Sequence, residues 1–311
     1  MNILITGIHG FVGNNLVNAL KDHHHIYGVD IVSPQKDGVI ETFSWDSPLP
    51  AIDTIIHLAG KAHDTKNQAD AKIYFDVNFG LTKKIFDYFL QSGAKQFIFF
   101  SSVKAAADRV EGDFLTEEVV PHPCGPYGES KIKAEKYILN HSLTDKKVYI
   151  FRPCMIHGPG NKGNLNLLYQ VAGRKIPWPL GAFDNLRSFM SIDNLSYIIE
   201  QFIVQNPASG IYHLADDEPL STNELIRLIA ESKHQKARIW KINQSLIQGI
   251  AKIGSLLRLP LNLDRLQKLT ENYVVSNQKM KTALGINQLP IDARTGLQQT
   301  LNNIKFTTYN S

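Results

Sequence analysis

Ile3-Leu4-Ile5-Thr6-Gly7-Ile8-His9-Gly10-Phe11-Val12-Gly13, at the start of the chain, is the stretch whose reading decides the fold. A short apolar run ends in three glycines spaced three apart, and an amphipathic stretch then continues to Leu20. That order predicts a buried strand, a tight turn and a helix packed back on the strand. Gly7, Gly10 and Gly13 leave room for backbone N–H groups and a helix N-terminus to approach a diphosphate, which side chains at these positions would obstruct. The spacing is looser than G-x-G-x-x-G, so the turn alone reads equally well as purely structural. Asp30 follows the second strand about 20 residues further on, where a carboxylate accepts hydrogen bonds from an adenosine ribose and repels a 2′-phosphate. This favours NAD over NADP, with Lys36 nearby pulling the other way.

Strand and helix patterns alternate through the first half of the chain: 3–6 then 11–20, 25–30, 54–58 then 77–91, 96–101 then 128–140, and 148–152. Such alternation predicts an α/β fold, a Rossmann-type doubly wound parallel sheet with helices on both faces. Beyond Arg152-Pro153 the pattern changes to a glycine-rich loop (158–163), a helix (165–173) and a Pro-bounded segment (177–181). Strands are then expected at 188–192 and 210–214 with a helix at 194–205 between them, and helical patterns dominate from the cap-like Ser221-Thr222-Asn223-Glu224 onward. The expected division is a dinucleotide-binding domain of 1–158 and 188–218, with a smaller, mostly helical substrate-binding region of 159–187 and 219–311 over the carboxyl edge of the sheet.

Of the 311 residues, 43% are apolar and 20% charged, with a net charge of +4 from scattered basic residues, so nucleic acid is not an expected partner. No apolar run approaches the roughly 18–20 residues of a membrane span. The apolar stretch 245–261, with only Lys252 and Arg258 charged, reads as a packed helix, with contact to a membrane surface as the alternative. Met1 leads straight into a strand and only Cys124 and Cys154 are present, so a reducing cytoplasm is the expected setting. His23-His24-His25 cannot converge on one ion as i, i+4 ligands do, and no metal is expected.

Tyr127-Gly128-Glu129-Ser130-Lys131 carries the second chemical signal. Tyr127 and Lys131 are four apart and share a helix face, where an ammonium lowers the pKa of a phenol and makes it a usable acid or base. An isolated Y-x-x-x-K is commonly a surface pair. Ser102 gives this one weight: it ends a strand 25 residues upstream, where its hydroxyl can hold a substrate oxygen against the tyrosine.

With these residues in order, the chain resembles the extended short-chain dehydrogenase/reductases of the NAD-dependent epimerase/dehydratase family. The similarity runs through Thr6–Gly13, His57–Gly60, Asn78 within Asp76–Gly80, Phe97–Ser102, Tyr127–Lys131, Arg152-Pro153 with His157–Gly160, Arg187–Asn194 and Tyr212–Leu225. The resemblance implies a catalytic trio of Ser102, Tyr127 and Lys131, with Lys131 also holding the nicotinamide ribose. It implies that His9, Phe11, Val12, Leu58, Ala59, Gly60, Asn78 and Pro153 join the three glycines and Asp30 along the cofactor, with Asp46 at the adenine. It implies that Arg187 grips a substrate diphosphate and that Lys104 and Asn164 touch the substrate. Homodimerisation through the helices containing residues 77–91 and 128–140 is implied as well.

Two departures from the family narrow the reaction. Dehydratases follow the serine or threonine with Asp-Glu, whereas Val103-Lys104 stand here, which argues against dehydration. The Val-Tyr-Gly of typical 4-epimerases is replaced by Val103–Ala107, and Ser-Ser-Val-Lys is more similar to bacterial 4-keto-sugar reductases of polysaccharide biosynthesis. The expectation is NAD(P)-dependent hydride transfer at C4 of a nucleotide-linked hexose, with 4-keto reduction ahead of 4-epimerisation. A non-catalytic dinucleotide sensor is the alternative from another class, and the intact trio argues against it.

Overall fold

The computed structural model describes residues 1–61, 70–161, 169, 177–257, 259 and 261–303. Its first half contains β1 (Asn2–Thr6), α1 (Phe11–Leu20), β2 (His25–Val29), β3 (Val39–Phe43), β4 (Thr54–His57), α2 (Ala71–Tyr74), a π-helical turn (Phe75–Gly80), α3 (Leu81–Gln91), β5 (Gln96–Phe100), α4 (Val103–Ala106), α5 (Pro126–Leu139) and β6 (Lys147–Pro153). The second half contains β7 (Met155–His157), β8 (Leu186–Arg187), β9 (Phe189–Ser191), α6 (Ile192–Gln205), β10 (Gly210–Leu214), β11 (Leu220–Ser221), α7 (Thr222–Ser232), α8 (Gln244–Leu256), α9 (Leu263–Thr270), α10 (Gln278–Leu284) and α11 (Ala293–Asn302).

Strand alternation decides the layers. In β1, Ile3 and Ile5 join one core and Leu4 the other, and all three are fully buried, so both faces of the sheet are covered. Seven parallel strands run in the order β10-β6-β5-β4-β1-β2-β3, the doubly wound arrangement expected from the sequence. On one face, Leu16, Val17 and Leu20 of α1 and Leu195, Ile198, Ile199 and Phe202 of α6 pack on Ile3, Ile56, Ile98 and Phe151. On the other, Ile85, Phe86 and Phe89 of α3 and Ala134 and Ile138 of α5 pack on Leu4, Ile55, Phe97 and Ile150.

The edge strand β3 was not anticipated, because its polar-flanked Val-Ile-Glu-Thr-Phe run leaves Ile40 57% exposed and shows no buried face. The strand expected at 188–192 exists, but it pairs with β7 in a separate two-stranded sheet. The helix expected at 165–173, apart from the buried Tyr169, lies outside the described residues, as does Asn164. Further along, two smaller cores form: Leu225, Leu228 and Ile229 with Leu297 and Leu301, and Trp178, Leu180 and Ile226 with Ile247, Ala251 and Leu266. Among the described residues, no helix is long and apolar enough to cross a membrane.

Two buried polar systems tie the helices to the carboxyl ends of the strands. Thr82 donates to the Asn78 carbonyl (2.6 Å), so its oxygen accepts from His57 Nε2 (2.9 Å); His57 Nδ1 then accepts from the Thr6 hydroxyl (2.6 Å), and Thr6 Oγ1 accepts from the Ala59 N–H (3.1 Å). This directed chain holds His57 neutral, and burial pulls its pKa down to about 3, with the Lys131 charge adding to the effect. The second system is a buried ion pair: Arg152 Nε and Nη2 donate to Glu135 Oε1 and Oε2 at 3.0 and 2.5 Å, and the Ser101 hydroxyl donates to Glu135 as well.

The ion pair predicts a non-additive stability effect. Glu135→Leu strands a buried guanidinium and is expected to cost about 3–5 kcal/mol in urea unfolding, whereas Glu135→Leu/Arg152→Met together should cost less than Glu135→Leu alone. A double-variant loss equal to the sum of the Glu135→Leu and Arg152→Met losses would show that the charges are not coupled.

The histidines predict an acid effect. His213 is also buried, and desolvation lowers its pKa to about 4. The unfolded chain takes up protons at both positions below the ordinary value of 6.5 while the folded protein does not. Stability should therefore fall from pH 6.5 toward 4, by up to about 1.4 kcal/mol per pH unit for each histidine. Denaturant titrations at pH 7, 6 and 5 check this, and a flat profile would contradict buried neutral imidazoles.

Candidate active site

The glycine turn is shaped by close approach. Gly7 has φ +70°, and a Cβ there would lie 2.9 Å from the Ala59 backbone; a Cβ at Gly13 would lie 2.6 Å from the Gly7 and Ile8 carbonyl oxygens. The Gly7 N–H donates to the Val29 carbonyl (2.8 Å), and Gly10 opens α1 as its N-cap. Asp30 faces this turn, accepting from the His9 N–H (3.0 Å) and the Ile31 N–H (2.7 Å). The Phe11 ring lies against the Gly158–Gly160 turn, and Phe11, Val12 and Leu58 all pack on the edge of the core. Pro153 is buried at the end of β6 beside Leu214.

From the turn, a continuous line of contacts leads to the proposed chemistry. Ala59 sits against Gly7, and Gly60 follows it; a Cβ on Gly60 would meet Asn78 Oδ1 at 2.9 Å and Lys131 Nζ at 3.2 Å. Asn78 is fully buried and clamps this loop: it accepts from the Lys61 N–H (2.7 Å) and donates to the Lys61 carbonyl (3.2 Å) and to Ser130 Oγ (3.0 Å). Ser130 in turn donates to the Tyr127 carbonyl (2.8 Å).

α5 begins at Pro126, whose fixed φ suits a first helical position, behind Gly125 at φ +85°. A Cβ on Gly128 would lie 2.5 Å from the Lys104 carbonyl, so only glycine lets this first turn press against the segment after Ser102. The result is a hydrogen bond between the Tyr127 hydroxyl and Ser102. Ser102 is 8% exposed and caps α4, its oxygen accepting from the Lys104 N–H (3.2 Å).

Lys131 is buried, its Nζ donating to the Phe100 carbonyl (2.8 Å) and lying 5.1 Å from the Phe99 ring centre. Burial lowers its pKa to about 8, and the neighbouring Glu135 opposes that fall. The sequence suggested that Lys131 would lower the Tyr127 pKa. Here burial pushes the phenol up, the Ser102 bond pulls it down, and the nearby Tyr74 phenol adds to the rise. The difference follows from where the ammonium points, toward the Phe100 carbonyl.

The structure thus brings together Gly7, Gly10, Gly13, His9, Asp30, Ala59, Gly60, Asn78, Lys131, Tyr127 and Ser102. It places other expected residues apart from this line. Asp46 has a side chain 90% exposed and pairs with Lys84 at 2.5 Å. Lys104 donates to the Asp108 carbonyl (3.0 Å), pairs with its carboxylate (3.3 Å) and lies over the Tyr273 ring. Arg187 donates to the Lys268 carbonyl (2.7 Å) and faces Glu271 at 3.9 Å. His157 is fully buried, sharing a hydrogen bond with Thr300 (2.8 Å) and lying 3.6 Å from Asp216.

Sequence reasoning missed Tyr74 and Tyr273. The Tyr74 ring meets Tyr127 edge-on at 6.3 Å and walls the phenol. Tyr273 bridges to Arg187 through the backbone and donates its hydroxyl to the Ala107 carbonyl (2.7 Å), joining the Arg187 strand to the loop after Ser102. Neither lies in a motif; only buried aromatic character in the sequence could have marked them.

Residues 3–215 match the model of the NAD dependent epimerase/dehydratase family. A UDP-glucose 4-epimerase of Vibrio cholerae is 32% identical over 246 residues, covering 74% of this chain and 75% of the relative. The N-acetyl-alpha-D-glucosaminyl-diphospho-ditrans,octacis-undecaprenol 4-epimerase of Escherichia coli O157:H7 is 29% identical over 298 residues, covering 90% of this chain and 84% of that protein. Among solved structures, MoeE5 in complex with UDP-glucuronic acid and NAD superposes with a TM-score of 0.74 at 19% identity, covering 97% of this chain and 98% of that one, which shows a shared fold. The chain belongs to the NAD dependent epimerase/dehydratase family.

Proposed function

We propose that this protein reduces the C4 carbonyl of a nucleotide-linked 4-keto-hexose in the supply of polysaccharide precursors, working in the cytoplasm. The observation that carries this reading is the Tyr127 hydroxyl bonded to Ser102, the N-cap of α4 just beyond β5, with Lys131 one helical turn further along α5. Burial keeps the phenol protonated at neutral pH, which suits a proton donor to a ketone oxygen.

NAD fits the glycine turn, which leads into the N-terminus of α1 at Gly10 with the Asp30 carboxylate bonded to the His9 N–H, and that carboxylate disfavours the 2′-phosphate of NADP. Bound there, NAD supplies or accepts the hydride. The turn from Gly7 to Gly13 cradles the diphosphate, Leu58, Ala59, Gly60, Asn78 and Pro153 border the remainder, Lys131 holds the nicotinamide ribose, and Asp46 reaches the adenine once released from Lys84. Ser102 orients the sugar oxygen and Tyr127 gives it a proton as hydride reaches C4. Arg187 grips the substrate diphosphate with its fork of donors. Lys104 and Asn164 complete the sugar pocket, within a substrate region formed by 159–187 and 219–311. Two copies associate through α3 and α5, which pack side by side on one face of the sheet; a monomer alone in sedimentation would remove that assignment.

A second reading, 4-epimerisation, is favoured by the names of the relatives from Vibrio cholerae and Escherichia coli. There Tyr127 first accepts the hydroxyl proton, and the keto sugar is then reduced on its other face.

Three measurements separate the readings. Tyr127→Phe is expected to lower turnover by about 10²–10⁴-fold with NAD affinity retained, whereas a non-catalytic sensor would be indifferent to it. Incubated with NADH and a UDP-4-keto-6-deoxy-N-acetylhexosamine, a reductase consumes cofactor and adds two hydrogens to the sugar. An epimerase instead converts UDP-N-acetylglucosamine to an equal-mass product without net cofactor use. The pH profile gives an independent check: if Tyr127 is the donor and Lys131 must be charged, the rate is level below pH 8 and falls as pH rises through about 8. A rate that climbs with pH would point to a phenolate base and to epimerisation.

A further inference from the structure

α8 has two apolar faces where packing within the protein uses one. Ile247, Ala251 and Gly254 are buried, and the first two pack on Trp178, Leu180, Ile226 and Leu266. Leu246, Ile250, Ile253 and Leu257 follow the same helical spacing about 100° further round the helix. They are 58%, 46%, 58% and 61% exposed. The apolar surface continues at Trp240 before the helix and at Leu256, Leu259 and Leu263 on the way into α9, all exposed. A single outward leucine is ordinary, but a contiguous stripe marks an interaction surface.

The charge around the stripe identifies what it meets. Contrary to the expectation from the whole chain, the basic residues are not evenly scattered: residues 233–268 contain eight lysines and arginines and one acidic residue, Asp264, a net charge of +7 in a chain whose total is +4, so the rest of the protein carries −3. Lys236, Arg238, Lys241, Lys252, Arg265 and Lys268 are exposed. A second copy docking on this stripe would bring two such positive segments together, which charge opposes. An amphipathic helix with a basic border instead matches a surface that is apolar beneath and anionic above.

We propose that the α8–α9 hairpin docks on an anionic phospholipid bilayer. Leu246, Ile250, Ile253 and Leu257 sink to the headgroup boundary, and the surrounding lysines and arginines meet lipid phosphates. The helix lies in the interface and does not cross it, since its 13 residues are too few to span. Arg187 donates to the Lys268 carbonyl in α9, so the docked hairpin and the strand bearing Arg187 are joined.

The test is flotation of the full chain with vesicles of phosphatidylglycerol and phosphatidylcholine in equal parts, against vesicles of phosphatidylcholine alone. The wild-type chain is expected to float with the anionic vesicles and less so as salt rises. Ile250→Ser/Ile253→Ser should reduce that partition at least about tenfold while circular dichroism and activity on a soluble substrate are unchanged. Should that variant fail to fold, Lys241→Glu/Lys252→Glu serves in its place and should lose binding to anionic vesicles. Absence of wild-type flotation, or equal flotation of wild type and folded variants, overturns the proposal. So does sedimentation in which the isoleucine variant abolishes self-association of a wild type that binds no vesicles, because the stripe would then belong to a second copy.

Discussion

The Glu135 carboxylate and the Arg152 guanidinium meet where both side chains are almost wholly buried, and their pairing sets the position of α5 against β5 and β6. Removing two charges from water is costly, and the gain is restored only by good geometry with the remaining hydrogen-bond positions filled. Here the pair is bidentate, and the Ser101 hydroxyl adds a further donor to the carboxylate. Its main effect is therefore registration rather than net stability. Tyr127, Lys131 and Glu135 are successive positions on one face of α5, so fixing the last of them fixes the others. A slip of one residue would move each by about 1.5 Å along the helix axis and 100° around it, enough to part Tyr127 from Ser102.

Small residues let that registered helix come close to its neighbours. Gly128 gives the first turn of α5 access to the Lys104 carbonyl, and Gly60 gives the loop after β4 access to Asn78 and Lys131. The hydrogen-bond chain through Thr82, His57 and Thr6 ends on the Ala59 N–H, so the loop that borders the glycine turn is held by uncharged partners. Of the groups in this line, Lys131 is buried with the Glu135 carboxylate nearby, and burial lowers its pKa to about 8.

Much of this architecture was legible because it rests on local signals. Period-two apolar runs such as Ile3–Thr6 and Gln96–Ser101 mark strands buried on both faces, and the glycines and the Tyr127–Lys131 spacing mark close approach and a shared helix face. The remainder depends on tertiary placement. β3 has no buried face in its sequence and is a strand because β2 offers it an edge. Burial raises the Tyr127 pKa and directs Lys131 to the Phe100 carbonyl, and neither effect follows from a spacing of four. Tyr74 and Tyr273 reach the site from segments that no motif singles out, and Arg187 and Lys104 are engaged by Lys268 and Asp108, pairings that link positions distant on different elements or one turn apart.

Concentrating Tyr127, Ser130, Lys131 and Glu135 on one helix also separates two kinds of heritable change. The Tyr127–Ser102 pairing hangs from α5 and the strand ends beneath it, whereas Arg187 and Tyr273 belong to segments outside the main sheet, with the Tyr273 ring buried in the main core. Drift in the strand bearing Arg187 can alter that segment without moving α5, whereas Tyr273 ties its own segment to the loop after Ser102 through the Ala107 carbonyl. Descendants of such a chain can diversify in segments away from α5 while inheriting the Tyr127–Ser102 pairing unaltered, so the modularity of the lineage is written into the packing of a single helix.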